Sequence, residues 1–381
     1  MTIRQLTISD LRNLTSVSIK PSSEINIFYG LNGSGKTSIL EAIHILGLAR
    51  SFRTPKVKSV VQTGKDKYTI FGLMKDLHRQ IPVGVSRSIH EDSIQIRISG
   101  NAIRSSAELA ALLPLQIINP DTFKLLEGSP GLRRNFLDWG VFHVKHKDFL
   151  PVWKHMQMAL KQRNSLIRHG RISGSELSIW TQAFSKYACQ VDQLRQAYVE
   201  QLLPYFSKVL QELCKLDGIK INYYRGWDKD RDLDEVLEAG LSRDIQSGYT
   251  FYGPQRADLR VRIGNSNATE ILSRGQLKLV VCALKLAQGY LLSEATDQKS
   301  IFLVDDLSSE LDIPHRMALC HLLQKIESQV FITCVEKNAL ADCWLPETHY
   351  KMFHVKQGQV ELVENPGRAG RQAKSLEIEH D

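Results

Sequence analysis

A glycine-rich segment near the start of the chain has the residue types and the spacing that bind nucleotide phosphates. Residues Gly30–Thr37 read GLNGSGKT, which fills every fixed position of the pattern G-x-x-x-x-G-K-[ST]. An apolar strand-like run precedes this loop, and a helical pattern with an apolar face follows it over residues 37–46. Backbone N–H groups in such a loop converge on phosphates, and the helix N-terminus behind it favours anions. The segment therefore predicts a nucleotide site.

The side chains of this loop have separate expected roles. Lys36 is expected to place a positive charge at the β/γ oxygens of a nucleotide, and the Thr37 hydroxyl is expected to ligate Mg²⁺. A glycine-rich turn that matches the pattern by chance is the alternative, and a second cluster far along the chain argues against it. The other positions predicted to bind the nucleotide are Gly30, Asn32, Gly33, Ser34, Gly35 and Ser38.

That second cluster is an apolar run that ends in two carboxylates. Residues 301–306 read IFLVDD, which predicts a buried parallel strand that delivers its acids at the carboxyl edge of a sheet. Asp305 would hold Mg²⁺ beside Thr37, and Asp306 would polarise an attacking water. An acidic pair in this position often only caps the next turn, but the glycine-rich loop favours the catalytic interpretation.

A third segment lies between the loop and the acidic pair. Residues 272–276 read LSRGQ and precede an apolar helical pattern over 277–292. A helix N-terminus can bind a phosphate, and the loop of the same chain already surrounds the β side of the nucleotide. The simplest arrangement is a head-to-tail dimer, in which this segment closes on the γ-phosphate held by Lys36 of the other subunit. An ordinary serine N-cap is the alternative. The predicted roles are Ser273 as a catalytic residue, with Asp306 and Lys36, and nucleotide binding by Arg274, Gly275 and Gln276.

The order of these segments resembles the ATP-binding-cassette ATPase head, and in detail the RecF family of bacterial recombination and repair proteins, which is related to Rad50 and SMC heads. Arg274 stands where transporters usually carry glycine, as in RecF-like and SMC-like heads. The resemblance implies an α/β fold: a P-loop NTPase sheet flanked by helices, an antiparallel β lobe, and an inserted, mainly helical arm. The segments that carry it are residues 6–13, 30–37, 51–53, 119–121, 128–138, 161–164, 253–258, 273–276, 305–306 and 309–312.

This resemblance also implies a function. It implies an ATP- and Mg²⁺-dependent protein of DNA replication, recombination, repair and the SOS response, with a weak DNA-stimulated ATPase. An ATP-dependent homodimer would clamp double-stranded DNA near gaps or single-strand/double-strand junctions, and slow hydrolysis to ADP and phosphate would release it. RecO and RecR are the implied partners in loading RecA.

Three departures from the cassette pattern affect the expected site. Asp306 is shorter than the glutamate that transporters commonly use, so slow hydrolysis is expected. The switch histidine of transporters is absent from residues 330–334, and Thr333 is the predicted substitute for sensing the γ-phosphate. The glutamine of the Q-loop, a further candidate for the metal shell, is either Gln116 or replaced by Asn119.

The distribution of charge along the chain indicates a polyanionic partner more strongly than the net charge does. The net charge is +8, from 49 basic and 41 acidic residues. Residues 145–171 contain seven Lys or Arg and one acid, and three of these cations recur every seven residues on an expected helix, with a drift of about 20° per repeat. A phosphate-tracking surface is predicted, and a solvated helix face is the alternative. The candidate DNA-binding residues are Lys154, Lys161, Arg168, Arg133 and Arg134.

Length and pattern predict the domain organisation. The 381 residues, 43% of them hydrophobic, are expected to form an ATPase head from residues 1–114 and 249–364, an inserted helical arm over 115–248, and a mobile tail over 365–381. A run of about 18 apolar residues, as a membrane span needs, is absent, and the start of the chain has no leader pattern. We therefore expect a cytoplasmic protein without a membrane association.

The predicted length and charge of the arm help to distinguish between the candidate functions. A heptad-like seam over residues 177–198, before Pro204, allows helices of only about 30–50 Å at 1.5 Å per residue. A Rad50/SMC-like head that regulates a nuclease is the main alternative, but its relatives carry far longer coiled coils. The soluble ATPase subunit of a transporter is a second alternative, which the basic arm disfavours. A P-loop kinase would not account for residues 272–276.

Overall fold

The computed structural model describes residues 1–76, 79–91, 93–169, 174–345 and 348–363. The chain forms two compact units, of which the first combines Met1–Pro120 with Gln298–Asp381 and the second is Asp121–Asp297. The predicted tail over 365–381 lies outside the described residues. Among the helices that are described, none is long and apolar enough to cross a membrane.

Strands occur in both units. In chain order they are β1 (Thr2–Leu11), β2 (Leu14–Ile19), β3 (Ile25–Tyr29), β4 (Lys67–Lys75), β5 (Gln80–Ser88), β6 (Gln95–Ile98), β7 (Asn101–Ile103), β8 (Leu115–Ile118), β9 (Ile219–Tyr224), β10 (Asp258–Ile263), β11 (Ser266–Asn267), β12 (Ile301–Val304), β13 (Gln329–Cys334), β14 (Tyr350–Lys356) and β15 (Gln359–Val363).

Helices are concentrated in the second unit. In chain order they are α1 (Lys36–Leu48), α2 (Ser106–Leu112), α3 (Lys124–Glu127), α4 (Pro130–Val144), α5 (His146–His169), α6 (Gly174–Cys214), α7 (Leu233–Ala239), α8 (Leu241–Ser247), α9 (Ala268–Ile271), α10 (Arg274–Ala295), α11 (Leu307–Glu310) and α12 (Ile313–Lys325).

The sheet that positions the predicted site is mainly parallel. Its strand order is β15-β14-β3-β13-β12-β8, and only β15 runs antiparallel to its neighbour. Every residue of β12 and β13 is buried, as the uninterrupted apolar sequence of β12 predicts, and the buried residues of β13 include the polar Gln329 and Thr333. Because these strands are parallel, β3, β13, β12 and β8 all end at the same edge of the sheet. The glycine-rich loop and the acidic pair leave the sheet from that edge.

A second sheet in the first unit is antiparallel, with the order β2-β1-β4-β5-β6-β7. Alternating burial along β1 and β4 turns one side of this sheet inward. Side chains from that side, from α1 and from the parallel sheet form one hydrophobic core, which includes Ile8, Ile43 and Phe331. Removing a side chain of this kind, as in Ile43→Ala, costs about 2–5 kcal/mol of stability. The mixed α/β architecture confirms the expected fold class.

The second unit is built around long helices. Helix α6 packs against both α5 and α10, and a three-stranded sheet with the order β11-β10-β9 completes the unit. Helix α6 has 41 residues and continues through Pro204, so at 1.5 Å per residue it is about 60 Å long. The expectation that helices of this segment are no longer than about 50 Å was therefore wrong. A proline removes one backbone hydrogen bond, and side-chain packing on both sides compensates for it.

The two units do not follow the expected domain boundaries. Strand β8 was expected to begin the inserted arm, yet it pairs with β12 in the parallel sheet of the first unit. Strand β10 and helix α10 were expected in the head, and their packing places them in the second unit. A segment of four residues such as Leu115–Ile118 is too short for its hydrophobic periodicity to distinguish a strand from a helix, so its pairing with β12 identifies it.

Candidate functional site

The glycine-rich loop connects the end of β3 to the start of α1. Gly35, the N-cap of α1, has φ of 119°, in a region that side chains disfavour. At Gly30, with φ of 152°, an added Cβ would lie 2.2 Å from the carbonyl oxygen of Val355. The backbone can therefore follow this path only with glycine at these two positions. Asn32 and Gly33 are exposed at the tip of the loop, whereas Ser34 and Ser38 are buried.

Lys36 lies beneath this loop with its side chain largely buried. Its Nζ donates hydrogen bonds to the carbonyl oxygens of Gly30, at 2.6 Å, and Leu31, at 3.0 Å. Burial lowers the pKa of Lys36, and the nearby Asp306 carboxylate opposes this shift. The loop therefore holds a cation behind the backbone that is expected to surround the phosphates.

The structure brings Thr37 and Asp305 together across 268 residues of sequence. The Thr37 hydroxyl lies 3.0 Å from Oδ1 and 3.1 Å from Oδ2 of Asp305, which follows β12. A hydroxyl and a carboxylate are hard oxygen ligands, so this pair fits Mg²⁺ bound together with phosphate oxygens and water. Across the described residues, no group of three or more His, Cys, Asp or Glu forms another candidate metal site.

Thr333 forms hydrogen bonds to both residues of the acidic pair. Its hydroxyl donates to Oδ1 of Asp305 and accepts from the backbone N–H of Asp306, both at 2.8 Å. Burial raises the pKa of Asp305, and the hydrogen bonds from Thr333 and Thr37 oppose the rise. Asp306 has φ of 51°, in the left-handed region where residues other than glycine are uncommon, and Ser308 donates to its Oδ1 at 3.4 Å. The strained backbone places the second carboxylate in a defined position.

Several residues that sequence reasoning left without a role line the same site. A cavity of about 530 Å³ beside the loop is bordered by Arg12, Asn13, Arg53 and Lys58 together with Lys36, Thr37, Asp305, Asp306 and Thr333. Glu41, fully buried on α1, receives two hydrogen bonds from Arg12, at 2.8 and 2.9 Å, and one from Arg53, at 3.5 Å. Glu41 thus fixes two cations at the cavity wall.

One sequence signal could have found this arrangement. Glu41 interrupts the apolar face of the helical pattern that follows the loop. A carboxylate at a core position of a helix is rarely buried without a cationic partner. The arginines at positions 12 and 53 lie outside that helix, so the pattern predicts a partner without identifying it.

The two Q-loop candidates occupy different positions. Gln116 lies within β8, opposite Phe302 of β12, and is buried. Asn119 follows the last residue of β8, and the backbone N–H of Asp305 donates to the carbonyl oxygen of Ile118. Asn119 therefore lies at the sheet edge where the acidic pair begins, which favours it over Gln116 as the Q-loop residue.

In the second unit, Ser273 is the N-cap of α10. Its Oγ accepts from the backbone N–H of Gln276 at 3.3 Å, and Gln276 Oε1 accepts from the backbone N–H of Ser273 at 2.9 Å. This reciprocal pair is a capping box. Ser273, Arg274 and Gly275 are exposed. The structure therefore gives Gln276 a capping role and leaves the three residues before it accessible.

The candidate DNA-binding residues differ in their surroundings. Lys154, Lys161 and Arg168 are all exposed on α5, as the seven-residue spacing predicts. Arg163 of the same basic segment is instead fully buried, where its Nη1 lies 2.7 Å from Asp244 Oδ2. The charge count overstated the basic surface, because one of its cations belongs to the interior.

Arg133 and Arg134 have partners within their own unit. Arg133 forms two hydrogen bonds to the Asp258 carboxylate, at 2.7 and 3.2 Å, and its Nη1 donates to three backbone carbonyls. Arg134 Nη1 donates to the Ala257 carbonyl at 2.8 Å, and burial lowers the pKa of Arg134. These contacts assign the two arginines to the packing of α4 on β10, and the proposal of a DNA surface is stronger on α5.

Together, the fold and the loop define an ATP-binding ATPase head of the cassette type. The model of the RecF/RecN/SMC N-terminal domain family matches residues 2–361. The DNA replication and repair protein RecF of Stutzerimonas stutzeri (strain A1501) is 51% identical over 368 residues, which cover 96% of this chain and 99% of that protein. RecF of Pseudomonas aeruginosa (strain LESB58) is 52% identical over 361 residues, covering 94% and 97%. The chain belongs to the RecF family.

Solved structures agree with this assignment. The recombination mediator protein RecF-ATP of the RecFOR pathway aligns with a TM-score of 0.83 and 25% identity, covering 95% of this chain and 97% of that one. An SMC head bound to the C-winged helix domain of ScpA aligns with a TM-score of 0.58 at 13% identity, covering 95% and 98%. The second likeness concerns the fold alone: this chain shares the fold of an SMC head.

Proposed function

We propose that this chain is an ATP-dependent recombination mediator that binds Mg²⁺-ATP, dimerises around it and holds double-stranded DNA. The observation that carries the proposal is the contact between Thr37 and Asp305, which sets two Mg²⁺ ligands beside Lys36 at the edge of the parallel sheet. Membership of the RecF family supports the DNA-repair role, and a RecF relative is described as bound to ATP.

The proposed reaction is slow hydrolysis of ATP to ADP and phosphate. Asp306 polarises the attacking water, Lys36 stabilises the charge that develops on the γ-phosphate, and Asp305 with Thr37 orients the metal. When bound, Mg²⁺ would neutralise the β- and γ-phosphate oxygens. The Thr333 hydroxyl donates to the Asp305 carboxylate and accepts from the backbone N–H of Asp306, which supports a role as a positioning residue in addition to its proposed γ-phosphate contact.

Dimerisation is proposed to use the Ser273 segment of one subunit against the nucleotide of another. The exposed Ser273, Arg274 and Gly275 at the N-terminus of a 22-residue helix provide a positive dipole end and free donors. The stripe of Lys154, Lys161 and Arg168 on α5 is the proposed duplex surface. RecO, RecR and RecA are the proposed partners, by membership of the family, with gapped or junction DNA as the substrate.

The decisive experiment measures molecular mass and duplex binding with no nucleotide, with ADP, with ATP and with a non-hydrolysable ATP analogue. Dimer formation and tight duplex binding are expected with ATP and its analogue only. Lys36→Met should remove both responses, because hydrogen bonds to charged groups are worth about 1.5–3 kcal/mol, or a 10- to 150-fold loss of affinity. A chain that stays monomeric in every nucleotide state would contradict the head-to-tail dimer.

A further inference from the structure

The second unit carries a cluster of aromatic rings and arginines that the proposed ATPase and duplex sites do not use. The cluster, termed here the ring–arginine patch, surrounds the end of α8 and the loop after it. The Arg243 guanidinium lies 3.3 Å from the centroid of the Phe251 ring, and Arg256 lies 5.1 Å from Tyr249 and 5.4 Å from Phe251. Phe251 and Tyr252 meet edge to face at 5.0 Å. The members of the patch are Arg243, Tyr249, Phe251, Tyr252 and Arg256.

The patch is accessible to a ligand. Tyr249 is 39% exposed, both arginines are exposed, and Ile245 beside them is 40% exposed. A contrasting pair in the same unit is Arg225 over Trp227, whose ring is only 1% exposed and whose arginine forms an ion pair with Asp192. That pair is part of the interior, whereas the patch exposes Tyr249 and both arginines and leaves Phe251 and Tyr252 half-buried.

The charge of the patch favours an anionic partner. Residues 241–256 contain a single acid, Asp244, and it is buried against Arg163. Within the described chain, neither Arg243 nor Arg256 has a carboxylate at ion-pair distance. Two unneutralised guanidinium groups beside exposed rings are the combination that binds unpaired nucleic acid, because bases stack on rings or guanidinium planes while the cations contact phosphates.

The backbone that carries the rings is fixed before any ligand arrives. Thr250 is 2% exposed and points inward, where it hydrogen-bonds to Asn164 of α5 through both its backbone N–H and its hydroxyl, each at 2.7 Å. The flanking Tyr249 is exposed and Phe251 is half-buried. The Phe251 N–H donates to Asp244 at 2.8 Å, and Gln255 donates to the carbonyls of Thr250 and Tyr252. A rigid loop loses little conformational entropy when it binds.

The patch borders the proposed duplex surface. Lys161 and Arg168 lie three residues before and four residues after Asn164 on α5. Residues at these spacings are neighbours on a helix, so both cations flank the side chain that anchors Thr250. The loop that carries the rings is therefore anchored beside two cations of the α5 stripe.

We propose that the ring–arginine patch binds the unpaired bases of single-stranded DNA where it continues from a duplex held on α5. The inference rests on the proposed DNA-binding function and adds to it a separate site for the unpaired strand. Base stacking tolerates any sequence, so the patch should recognise the unpaired state and not particular bases.

The test uses the full chain with Mg²⁺-ATP and two labelled DNAs, a continuous duplex and the same duplex with a gap of about ten nucleotides that contains 2-aminopurine. The wild-type chain should bind the gapped DNA more tightly and quench the 2-aminopurine by stacking. Tyr249→Ala should lose about tenfold in affinity for gapped DNA and lose the quenching, with duplex affinity unchanged, since stacking on one ring is worth this much per base.

Tyr249→Phe is the matched variant, because it keeps the ring and should retain both the gap preference and the quenching. Ile179→Ala removes another exposed apolar side chain of the same unit, 63% exposed, and should have no effect on either DNA. Equal midpoints of urea unfolding for Tyr249→Ala and Tyr249→Phe would show that the loss comes from the ring and not from the fold.

The outcomes separate this inference from the function on which it rests. A wild-type chain that binds neither DNA refutes the proposed function, and the patch inference with it. Duplex binding without a gap preference or quenching refutes the patch alone. If Tyr249→Ala leaves both DNA signals intact but changes dimerisation, the patch is a protein contact and the inference is wrong.

Discussion

The glycine-rich loop of the first unit and the Ser273 segment of the second both place short polar residues at a helix N-terminus, but they differ in their partners. Around the loop, Asp305 after β12 accepts hydrogen bonds from the hydroxyls of Thr37 on α1 and Thr333 on β13. The Ser273 hydroxyl and backbone N–H bond to Gln276 of its own helix, and the neighbouring Arg274 and Gly275 are exposed. The loop is organised by its own unit, whereas the Ser273 segment is satisfied locally and keeps an accessible surface. Substitutions at the loop site should therefore affect nucleotide binding and turnover, whereas substitutions in the Ser273 segment should affect dimerisation.

The largest effect is expected at the acidic pair. Asp306→Asn should keep nucleotide binding and lower turnover by about 10²- to 10⁴-fold, the range expected for a positioned general base. Asparagine tolerates the left-handed backbone at this position, so the variant isolates the charge. The hydrolysis rate and the dissociation rate from DNA would be measured in single turnovers, and the dimer should remain on DNA far longer.

Asp305→Asn is the control for this division of roles. It should weaken Mg²⁺-ATP binding itself, because the asparagine is a poorer metal ligand beside Thr37. Normal turnover by Asp306→Asn, or a DNA-trapped dimer from Asp305→Asn alone, would show that the roles of the two carboxylates are assigned incorrectly.

The next largest effect is expected at Ser273. Ser273→Arg should leave ATP affinity unchanged and weaken ATP-dependent dimerisation by about 10- to 150-fold, the value of a hydrogen bond to a charged group. Equilibrium sedimentation with the non-hydrolysable analogue would measure the dimer. If this variant dimerises as wild type does, the Ser273 segment is only a helix cap.

A smaller effect is expected on α5. Changing Lys154, Lys161 and Arg168 together to Glu should weaken duplex binding at low salt and leave ATP binding intact. The slope of log affinity against log salt should become shallower by about 0.9 for each phosphate contact removed. Titrations of duplex DNA at several salt concentrations would provide the slope.

The control for the α5 variant carries the same change in charge elsewhere in the second unit. Lys186, Lys208 and Lys220 are exposed and lie outside the stripe. Changing these three to Glu should reduce affinity less than the stripe variant does. Equal losses from both triple variants would mean that net charge, and not the stripe, governs binding.

The smallest effect is on stability, and its size depends on pH. Burial raises the pKa of Asp305 above its unfolded value, so the ionised carboxylate destabilises the fold at pH above that raised pKa. Without nucleotide and metal, Asp305→Asn should raise the free energy of unfolding at neutral pH by about 0.5–2 kcal/mol. The gain should shrink as pH falls through the raised pKa. Urea titrations of both proteins from neutral to acidic pH would test this, and a gain independent of pH would rule out ionisation as its cause.

The sequence predicted the structure correctly where a local pattern coincides with a fixed-glycine loop or a buried strand. The loop and β12 were predicted because fixed glycines and an uninterrupted apolar run determine their conformation. The juxtaposition of Thr37 and Asp305 followed from the rule that parallel strands end at one edge.

Other features depend on contacts between residues that are distant in the sequence, and a local pattern cannot predict such contacts. The seven-residue spacing on α5 separated exposed from buried positions for Lys154 and Met156, but it could not show that Arg163 pairs with Asp244, 81 residues away. The anchoring of Arg12 and Arg53 by Glu41 is likewise a contact between distant segments. Helix α6 continues through Pro204 because packing against α5 and α10 outweighs the lost backbone bond.

The capping box at Ser273 leaves the hydrogen of the serine hydroxyl available for a further hydrogen bond. The serine hydroxyl accepts from the Gln276 N–H, which occupies one lone pair and leaves its single hydrogen unassigned. One hydroxyl can thus keep the helix capped and still donate to an incoming oxyanion, so recognition requires no unfolding of the first turn. An aspartate would cap the helix equally well but has no hydrogen to donate and would repel the anion. Ser273→Asp is therefore the substitution that would preserve the helix while removing recognition.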